Sequence, residues 1–477
     1  MPRFRPAIAL VLPLAAIVLV TAAVLRDPEY DEGYTATVTS LAARPIWPDR
    51  PFRVGEARAA FAPAPTPWAI GGNLRRTDVH PPLYFWLAWA WRRCLGPSLI
   101  GTRLLSVAFS LGALALVAAL ATEAAIPVVP AVLLTLGCYG FVETGIVARG
   151  FAMAQCLTVA GVLLTLRAAR APRGERFALA AGLVLGAASF TNYLTAFQGA
   201  AALVWLLIHR RRIAVPMLAG MLPFLLADAS FFAAQRSSRI GQFDPFAWDR
   251  MANALSHALG SATLGGLPLY VPAGATRNLA SGLLALFLLA LLALPILRWR
   301  HIGGEGARSL LAMAALAAPV GLLLLGLAAH SVPVEMRYLA FALPPVMLLI
   351  AGSLPSPWLA VIPLAVQTAA ILGLMTQPAT MQPEGAAARA AFAAVGDTGL
   401  VLLPRGNDGV GLVSAFLDAA PDRLHVLIVR PETSMITICD RLDDWPKVTA
   451  ALLAVDRASI ATRPMLEIAL RCGNQIR

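Results

Sequence analysis

Eleven apolar stretches, each close to the length that crosses the hydrocarbon core of a bilayer, leave this chain little choice of solvent. They run over residues 7–25, 104–121, 126–141, 151–166, 177–190, 194–208, 213–232, 279–297, 310–329, 339–354 and 358–375. A core of about 30 Å takes about 17 to 25 residues of helix. Of the 477 residues 58% are hydrophobic and 13% charged, and the mean hydropathy is +0.71, outside the range of soluble globular chains. The expected fold class is therefore an all-α polytopic membrane protein with about 11 transmembrane helices. The opening "MPRFRPAIALVLPLAAIVLVTAAVL" has the basic start and apolar run of a signal sequence. With so many spans behind it, it reads as a signal anchor.

Charge fixes the expected orientation. The net charge of +12 comes almost wholly from arginine, Lys447 being the single lysine. Clusters at Arg3/Arg5, Arg167/Arg170/Arg173/Arg176, 209–212 and Arg298/Arg300/His301 mark short cytoplasmic segments, so the basic balance is a topology signal and implies no nucleic-acid partner. An even number of crossings must separate the N-terminus from Arg167. That parity holds only if the twelfth apolar stretch, 81–91, does not cross. Eleven residues of helix rise about 16 Å, roughly half a bilayer. Its Tyr84, Trp86, Trp89 and Trp91, closed by Arg92 and Arg93, are residues of an interfacial helix lying along the outer surface; the alternative is a short second span with the two arginines inside. The first loop, the turn 143–149, the loop 234–278 and everything after Gln377 then face outward.

Two domains are expected: a transmembrane domain over 1–376, whose outer loop 26–103 includes the interfacial helices, and a small C-terminal α/β domain over 377–477, outside the cytoplasm. In the tail "TGLVLLPRGNDG" reads as a strand entering a turn, "VGLVSAFLDAA" as a helix and "LHVLIVRP" as a second strand. The Pro404-Arg405-Gly406-Asn407 turn lacks phosphate-loop spacing. The five cysteines show no metal-ligand spacing. Cys439 and Cys472 share a polar region, and whether they pair stays open.

Ionisable groups at the edge of a bilayer are costly and commonly functional. They gather on the outer side in six places: Asp27, Glu29, Asp31 and Glu32 after the first span; Asp78 and His80 before Pro81-Pro82; Glu143 and Arg149; Asn192 and Tyr193 at the apex of a short helical pair; a third-loop set including Arg236, Arg239, Asp249, Arg250 and His257; and Glu335, Arg337 and Tyr338. Asp27 and Glu29 read as a solvated loop, as do most of the third-loop charges. Acids facing arginines at an outer membrane edge suit transfer of a group from a lipid-phosphate donor. A carboxylate deprotonates the acceptor hydroxyl, while guanidinium and imidazole neutralise the departing phosphate.

"YDEGY" together with "DVHPPLYFWLAWAWRRCLG", followed in order by "TRLLSVAFSLGALAL", "VARGFAMA", "GLVLGAASFTNYLTAF" and "MRYLAFALPP", resembles the membrane-embedded C-type glycosyltransferases of the protein O-mannosyltransferase and lipid A aminoarabinose transferase superfamily. The resemblance covers about residues 7–210 and 335–376. It implies inverting transfer of a sugar from a polyprenyl-phosphate donor to an acceptor glycolipid, protein or polysaccharide on the outer face of a bacterial inner membrane. By position it makes Asp31 the catalytic aspartate of the first loop, acting as base, and Glu32 its neighbour. His80, Arg149 and Arg337 fall to the donor phosphate, and Tyr338 completes the late Arg-Tyr pair; Asp78, Tyr84, Glu143, Asn192 and Tyr193, with Tyr338, are candidates for substrate binding from their place on the outer side, Glu143 not aligning with the missing acid. The chain departs from the pattern at Val79, Val147 and Phe151, where relatives have an acid, a glutamate and a tyrosine; a divalent metal is left open and no other cofactor is implied. Two other readings are a lipid or solute transporter, against which stand the absence of an internal repeat and the one-sided charges, and a relative that binds the lipid carrier without catalysis.

Overall fold

The computed structural model describes residues 5–41, 47–235, 243–406, 409–429, 445 and 448–450. Arg3, Arg236, Arg239, Asn407, Cys439 and Cys472 lie outside them. The chain forms two compact units interleaved in sequence: Met1–Leu25, Leu74–Tyr84 and Arg103–Thr380 in the first, and Arg26–Asn73, Phe85–Thr102 and Met381–Arg477 in the second.

The first unit is helical. Among the described residues seven helices are long and apolar enough to cross a bilayer: Leu99–Ala124, Phe151–Arg170, Arg211–Ala234, Ala275–Leu297, Glu305–Ala329, Met336–Ser353 and Pro357–Thr376. Two broken pairs, Ala9–Leu25 with Tyr30–Ser40, whose second helix belongs to the other unit, and Val128–Gly137 with Tyr139–Ile146, raise the number to nine if each pair is one span. The protein is thus a multi-pass membrane protein. The difference from eleven has a plain cause, because the expected spans 177–190 and 194–208 become the short helices Glu175–Ser189, of 15 residues, and Tyr193–His209. Helix Trp248–Leu264 turns Met251, Ala258 and Ala262 inward and leaves Asp249, Arg250 and His257 exposed.

Close approach in this unit depends on glycine. A Cβ on Gly182 would lie 2.0 Å from the carbonyl oxygen of Met217, and one on Gly220 would lie 2.5 Å from that of Leu179. Helices Glu175–Ser189 and Arg211–Ala234 therefore pack backbone to backbone, as small residues permit in an apolar medium. The pair Val128–Gly137 and Tyr139–Ile146 bends by 67° at Cys138. Such a break frees polar backbone groups that lipid cannot satisfy. Gln367, buried on helix Val361–Thr376, supplies a side-chain amide that donates to the carbonyls of Leu134 and Thr263 at 3.3 and 3.4 Å.

In the second unit a four-stranded sheet has the order β1-β3-β2-β4, where β1 is Phe52–Arg53, β2 Leu400–Pro404, β3 His425–Val429 and β4 Val448–Ala450. β2 pairs parallel with β3 and β4, and β1 pairs antiparallel with β3, Phe52 opposite Val426. Every residue of β2 is buried, as a strand flanked on both sides requires. Helices Pro383–Val395 and Gly411–Ala419 pack on it through Ala388, Val395, Val413 and Phe416, together with Trp47 and Phe61. Residues 26–73 and 85–102 share this unit with the tail. The interfacial stretch is the helix Leu83–Leu95, and Arg92, expected at the membrane surface, is buried instead. Its guanidinium donates to the carbonyls of Ala36 at 3.3 Å and Phe61 at 2.8 Å and to the hydroxyl of Thr39. The C-terminal end of helix Tyr30–Ser40 is the negative end of its dipole, which a cation offsets.

Because both atoms nearest a Cβ at position 182 belong to backbone, Gly182→Ala should destabilise the helix pair by about 1–3 kcal/mol, the usual cost of overpacking. Thermal unfolding in detergent should show this loss, and Gly72→Ala, where a Cβ meets nothing within 4 Å, should not.

Candidate functional site

Two prolines stop the chain from continuing as helix after Thr77, and the strap Asp78–Pro82 that results carries the densest polar cluster of the helical unit. The side-chain oxygen Oδ1 of Asp78 accepts from the backbone N–H of Val79 at 2.6 Å and lies 2.7 Å from Nδ1 of His80. An ionised carboxylate only accepts, so Nδ1 carries the proton. The other ring nitrogen, Nε2, is left as an acceptor, and Nη2 of Arg149 stands 3.4 Å from it. Asp78 thereby sets the tautomer and Arg149 reads it.

Burial of Asp78 by itself would raise its pKa, but His80, through charge and hydrogen bond, then Arg149 and the N–H of Val79 outweigh it and lower the carboxyl from 3.8 to about 2. The carboxylate is therefore ionised at any physiological pH, in a place where only 6% of its side chain is exposed. An unpaired charge so placed would be costly.

Backbone contacts hold the strap. Leu83 N–H donates to the carbonyl of Phe190 at 3.2 Å. The Gln235 side-chain amide donates to the carbonyls of Leu74 and His80 at 3.0 and 3.2 Å, and its oxygen accepts from the Tyr193 hydroxyl at 3.0 Å. Gln235 escaped the sequence reading, since a glutamine just beyond a span has no spacing signature. Tyr193 reaches the cluster through it. Asn192, its neighbour, turns its side-chain oxygen back onto the N–H of Leu194 at 3.1 Å and so caps the following turn.

Arg149 comes from a second break in helix. The chain is extended at Val147, between helices Tyr139–Ile146 and Phe151–Arg170. Ser106 donates to the carbonyl of Val147 at 2.7 Å and Ser110 to that of Gly145 at 3.2 Å, satisfying groups that the break exposes. A Cβ at Gly150 would stand 3.2 Å from both Tyr84 and Thr191, so the arginine loop lies directly on the first turn of the helix that follows the strap. Tyr84 is buried there. Glu143 is half-buried on the short helix before the break.

Arg337 belongs to the same unit. It pairs with Glu335 at 2.5 Å, and its guanidinium lies 5.8 Å from the ring of Phe151 and 5.7 Å from that of Tyr338, within cation-π range. Phe151 stacks on Phe341 with ring centroids 6.4 Å apart, and Gln155 donates to the carbonyl of Ala340 at 2.6 Å. The segment Met336–Ala342 is thus docked on the helix that begins two residues after Arg149.

Asp31 and Glu32 are in the other unit, in the first turn of helix Tyr30–Ser40. They differ in environment. Glu32 is buried and its carboxylate accepts from the N–H of Glu29 at 2.8 Å, the reciprocal bond of a capping box; Asp31 is half-exposed. The acids read as solvated are engaged instead: Asp27 accepts both arms of the Arg389 fork at 2.6 and 2.8 Å, and Glu29 pairs with Arg26 at 2.6 Å. Among the described residues no three His, Cys, Asp or Glu side chains are grouped to hold a metal ion, so the donor set does not fit a divalent metal site.

Residues 79–231 match the family model described as dolichyl-phosphate-mannose-protein mannosyltransferase. No curated protein sequence matches the chain. Among solved structures, one of an S. cerevisiae protein O-mannosyltransferase complex bound to the sugar donor is similar at 14% identity over 49% of this chain, with a TM-score of 0.35; this chain spans 32% of that chain's length. ArnT from Cupriavidus metallidurans bound to undecaprenyl phosphate is similar at 14% identity over 92% of this chain and 88% of that one, with a TM-score of 0.41. An Archaeoglobus fulgidus oligosaccharyltransferase in the apo form is similar at 11% identity over 91% of this chain and 66% of that one, with a TM-score of 0.48.

The Asp78 carboxyl gives a pH prediction. Its pKa is lowered on folding, from 3.8 to about 2, so its ionised form stabilises the fold, by about 2 kcal/mol, at every pH well above 3.8, and this contribution is lost as pH falls through about 2. The stability advantage of the wild type over Asp78→Asn should therefore persist at pH 5 and shrink as pH falls from there toward 2. A difference that instead shrinks between pH 6 and 8 would show that another group is being read.

Residues 79–231, which take in His80, Arg149, Asn192 and Tyr193, are thus similar to the dolichyl-phosphate-mannose-protein mannosyltransferase family over less than half of the chain.

Proposed function

We propose that the protein transfers a sugar, with inversion, from a polyprenyl-phosphate-linked donor to an acceptor on the extracytoplasmic face of a bacterial inner membrane. The observation that carries this reading is the Asp78–His80–Arg149 relay, whose His80 and Arg149 lie in the segment that matches the mannosyltransferase family model. Before substrate binds, Arg149 faces the unprotonated Nε2 of His80. A donor phosphate arriving at Arg149 competes for that guanidinium. His80 can then take a proton at Nε2 and change from acceptor to donor, with the Asp78 carboxylate in place to stabilise the imidazolium. Charge that develops on the leaving phosphate is met by two cations, and a third, Arg337, is held on the Phe151 ring. Groups fixed in advance in this way lower the barrier without reorganisation.

Asp31 is the base in this reading. It takes the acceptor hydroxyl's proton as the carbon–oxygen bond to the acceptor forms and the bond to the phosphate breaks. Glu32, spent on the capping box, serves the helix that presents Asp31. Asp78, Tyr84, Glu143, Asn192, Tyr193 and Tyr338 shape and support the donor site. Eleven crossings with the N-terminus inside, and an outer unit built from the first loop and the tail, complete the topology. A lipid or solute transporter would need its charges along a path through the membrane, whereas Asp78, His80 and Arg149 are tied to one another in a single relay.

Turnover measures it, with host membranes supplying the acceptor and the host's own polyprenyl-phosphate sugars as probe. Asp31→Asn should lose about 10² or more in rate while protein level and donor binding persist. Arg149→Lys should lose about 10-fold to 10³-fold, because an ammonium cannot reproduce the fork toward both imidazole and phosphate. Wild-type turnover in both variants would exclude the reaction as written.

A further inference from the structure

The helix Tyr30–Ser40, which bears Asp31, is short and begins directly after an extended entry, with Glu29 at φ −96° and ψ 144°. Left to itself, a helix of 11 residues is marginal. Three contacts from the tail hold it. Asp27 sits against the first turn of helix Pro383–Val395, where a Cβ on Gly385 would stand 2.4 Å from its carboxyl carbon, and both of its oxygens are taken by Arg389, at 2.6 and 2.8 Å. Tyr30 lies on Gly411, where a Cβ would be 2.4 Å from its ring, and Gly33 lies on Ser414, where a Cβ would be 2.5 Å from Cβ of that serine. At the far end Arg92 takes the carbonyl of Ala36 and the hydroxyl of Thr39.

We infer that the Asp27–Arg389 pair is a positioning device for the transfer reaction, by which the tail sets where the Asp31 helix begins. This rests on the reading of Asp31 as base. The side chain of Asp27 is 12% exposed and that of Arg389 is 61% exposed, so the pair adds little as a surface charge interaction. Its worth is geometric. Two parallel bonds fix the plane of the carboxylate as well as its distance, four residues before the base. A single bond at this point would leave the entry free to rotate. Asp27 is remote in sequence from Gly385 and Arg389, and none of the three touches substrate in the proposed reaction. Misplacement of a reacting group by about 1 Å is enough to cost up to about 10²-fold.

The test compares kcat, KM and unfolding temperature of the full chain in host membranes with the host's own polyprenyl-phosphate sugars. Arg389→Ala should lower kcat about 10-fold with KM for donor within about twofold, and the unfolding temperature should hardly move. Arg389→Lys should fall between, since an ammonium holds one oxygen where the fork holds two. The reversed pair, Asp27→Arg with Arg389→Asp, should recover turnover above that of Arg389→Ala. Wild-type kcat in Arg389→Ala, or a loss that follows a fall in unfolding temperature and is not recovered by the reversed pair, overturns the inference. Asp31→Asn in the same assay separates the two levels: if it is inactive and Arg389→Ala is not impaired, the positioning role alone fails, and if it is fully active, the base assignment fails with it.

Discussion

Each polar group that the helical unit carries into its apolar interior needs a partner inside the protein, because lipid offers none. Where the helices run straight the rule costs nothing, since backbone groups pair within the helix. Where the chain breaks, side chains from other helices make up the loss. Gln367 does so at the bend at Cys138, Ser106 and Ser110 at the extended link that ends in Arg149, and Gln235 at the strap that carries His80. The breaks that carry Arg149 and His80 are thus among those that require such donors.

The relay depends on this arrangement in a specific way. Asp78, His80 and Arg149 form one line of charge and lone pairs in which each member decides the state of the next: the carboxylate is ionised because imidazole and guanidinium face it, the imidazole keeps its proton on Nδ1 because the carboxylate accepts it, and the guanidinium finds a lone pair on Nε2 because the proton is on the other side. Such coupled groups act as a unit, and loss of one changes the others. Gly150 lets the arginine loop reach Tyr84 and Thr191, and Gln235 ties Tyr193 to the strap, so residues far apart in sequence share one rigid setting.

In the second unit the same accounting separates neighbouring acids. Of four carboxylates in six residues, Asp27 is held by Arg389, Glu29 by Arg26 and Glu32 by the N–H of its own helix start. Asp31 stays at the half-exposed position. The first loop folds with the tail because β1 pairs with β3 and because Arg58 donates to the carbonyls of Leu417 and Asp418, at the end of helix Gly411–Ala419.

Hydropathy alone determined that the chain is a helical membrane protein, since apolar length is a local property that no packing overrides. Local patterns also marked the strands at Leu400–Pro404 and His425–Val429 and the non-helical strap at Pro81-Pro82. The outer acids and arginines were visible as residues out of place in so apolar a chain. What only the tertiary structure decided was their partners. That Arg92 is buried rather than interfacial, that Asp27 and Glu29 are paired rather than solvated, and that Gln235 belongs beside His80 all depend on contacts across tens to hundreds of residues. A hydrogen bond has no period in sequence, so which donor a carboxylate takes is settled only when the distant group has been brought to it.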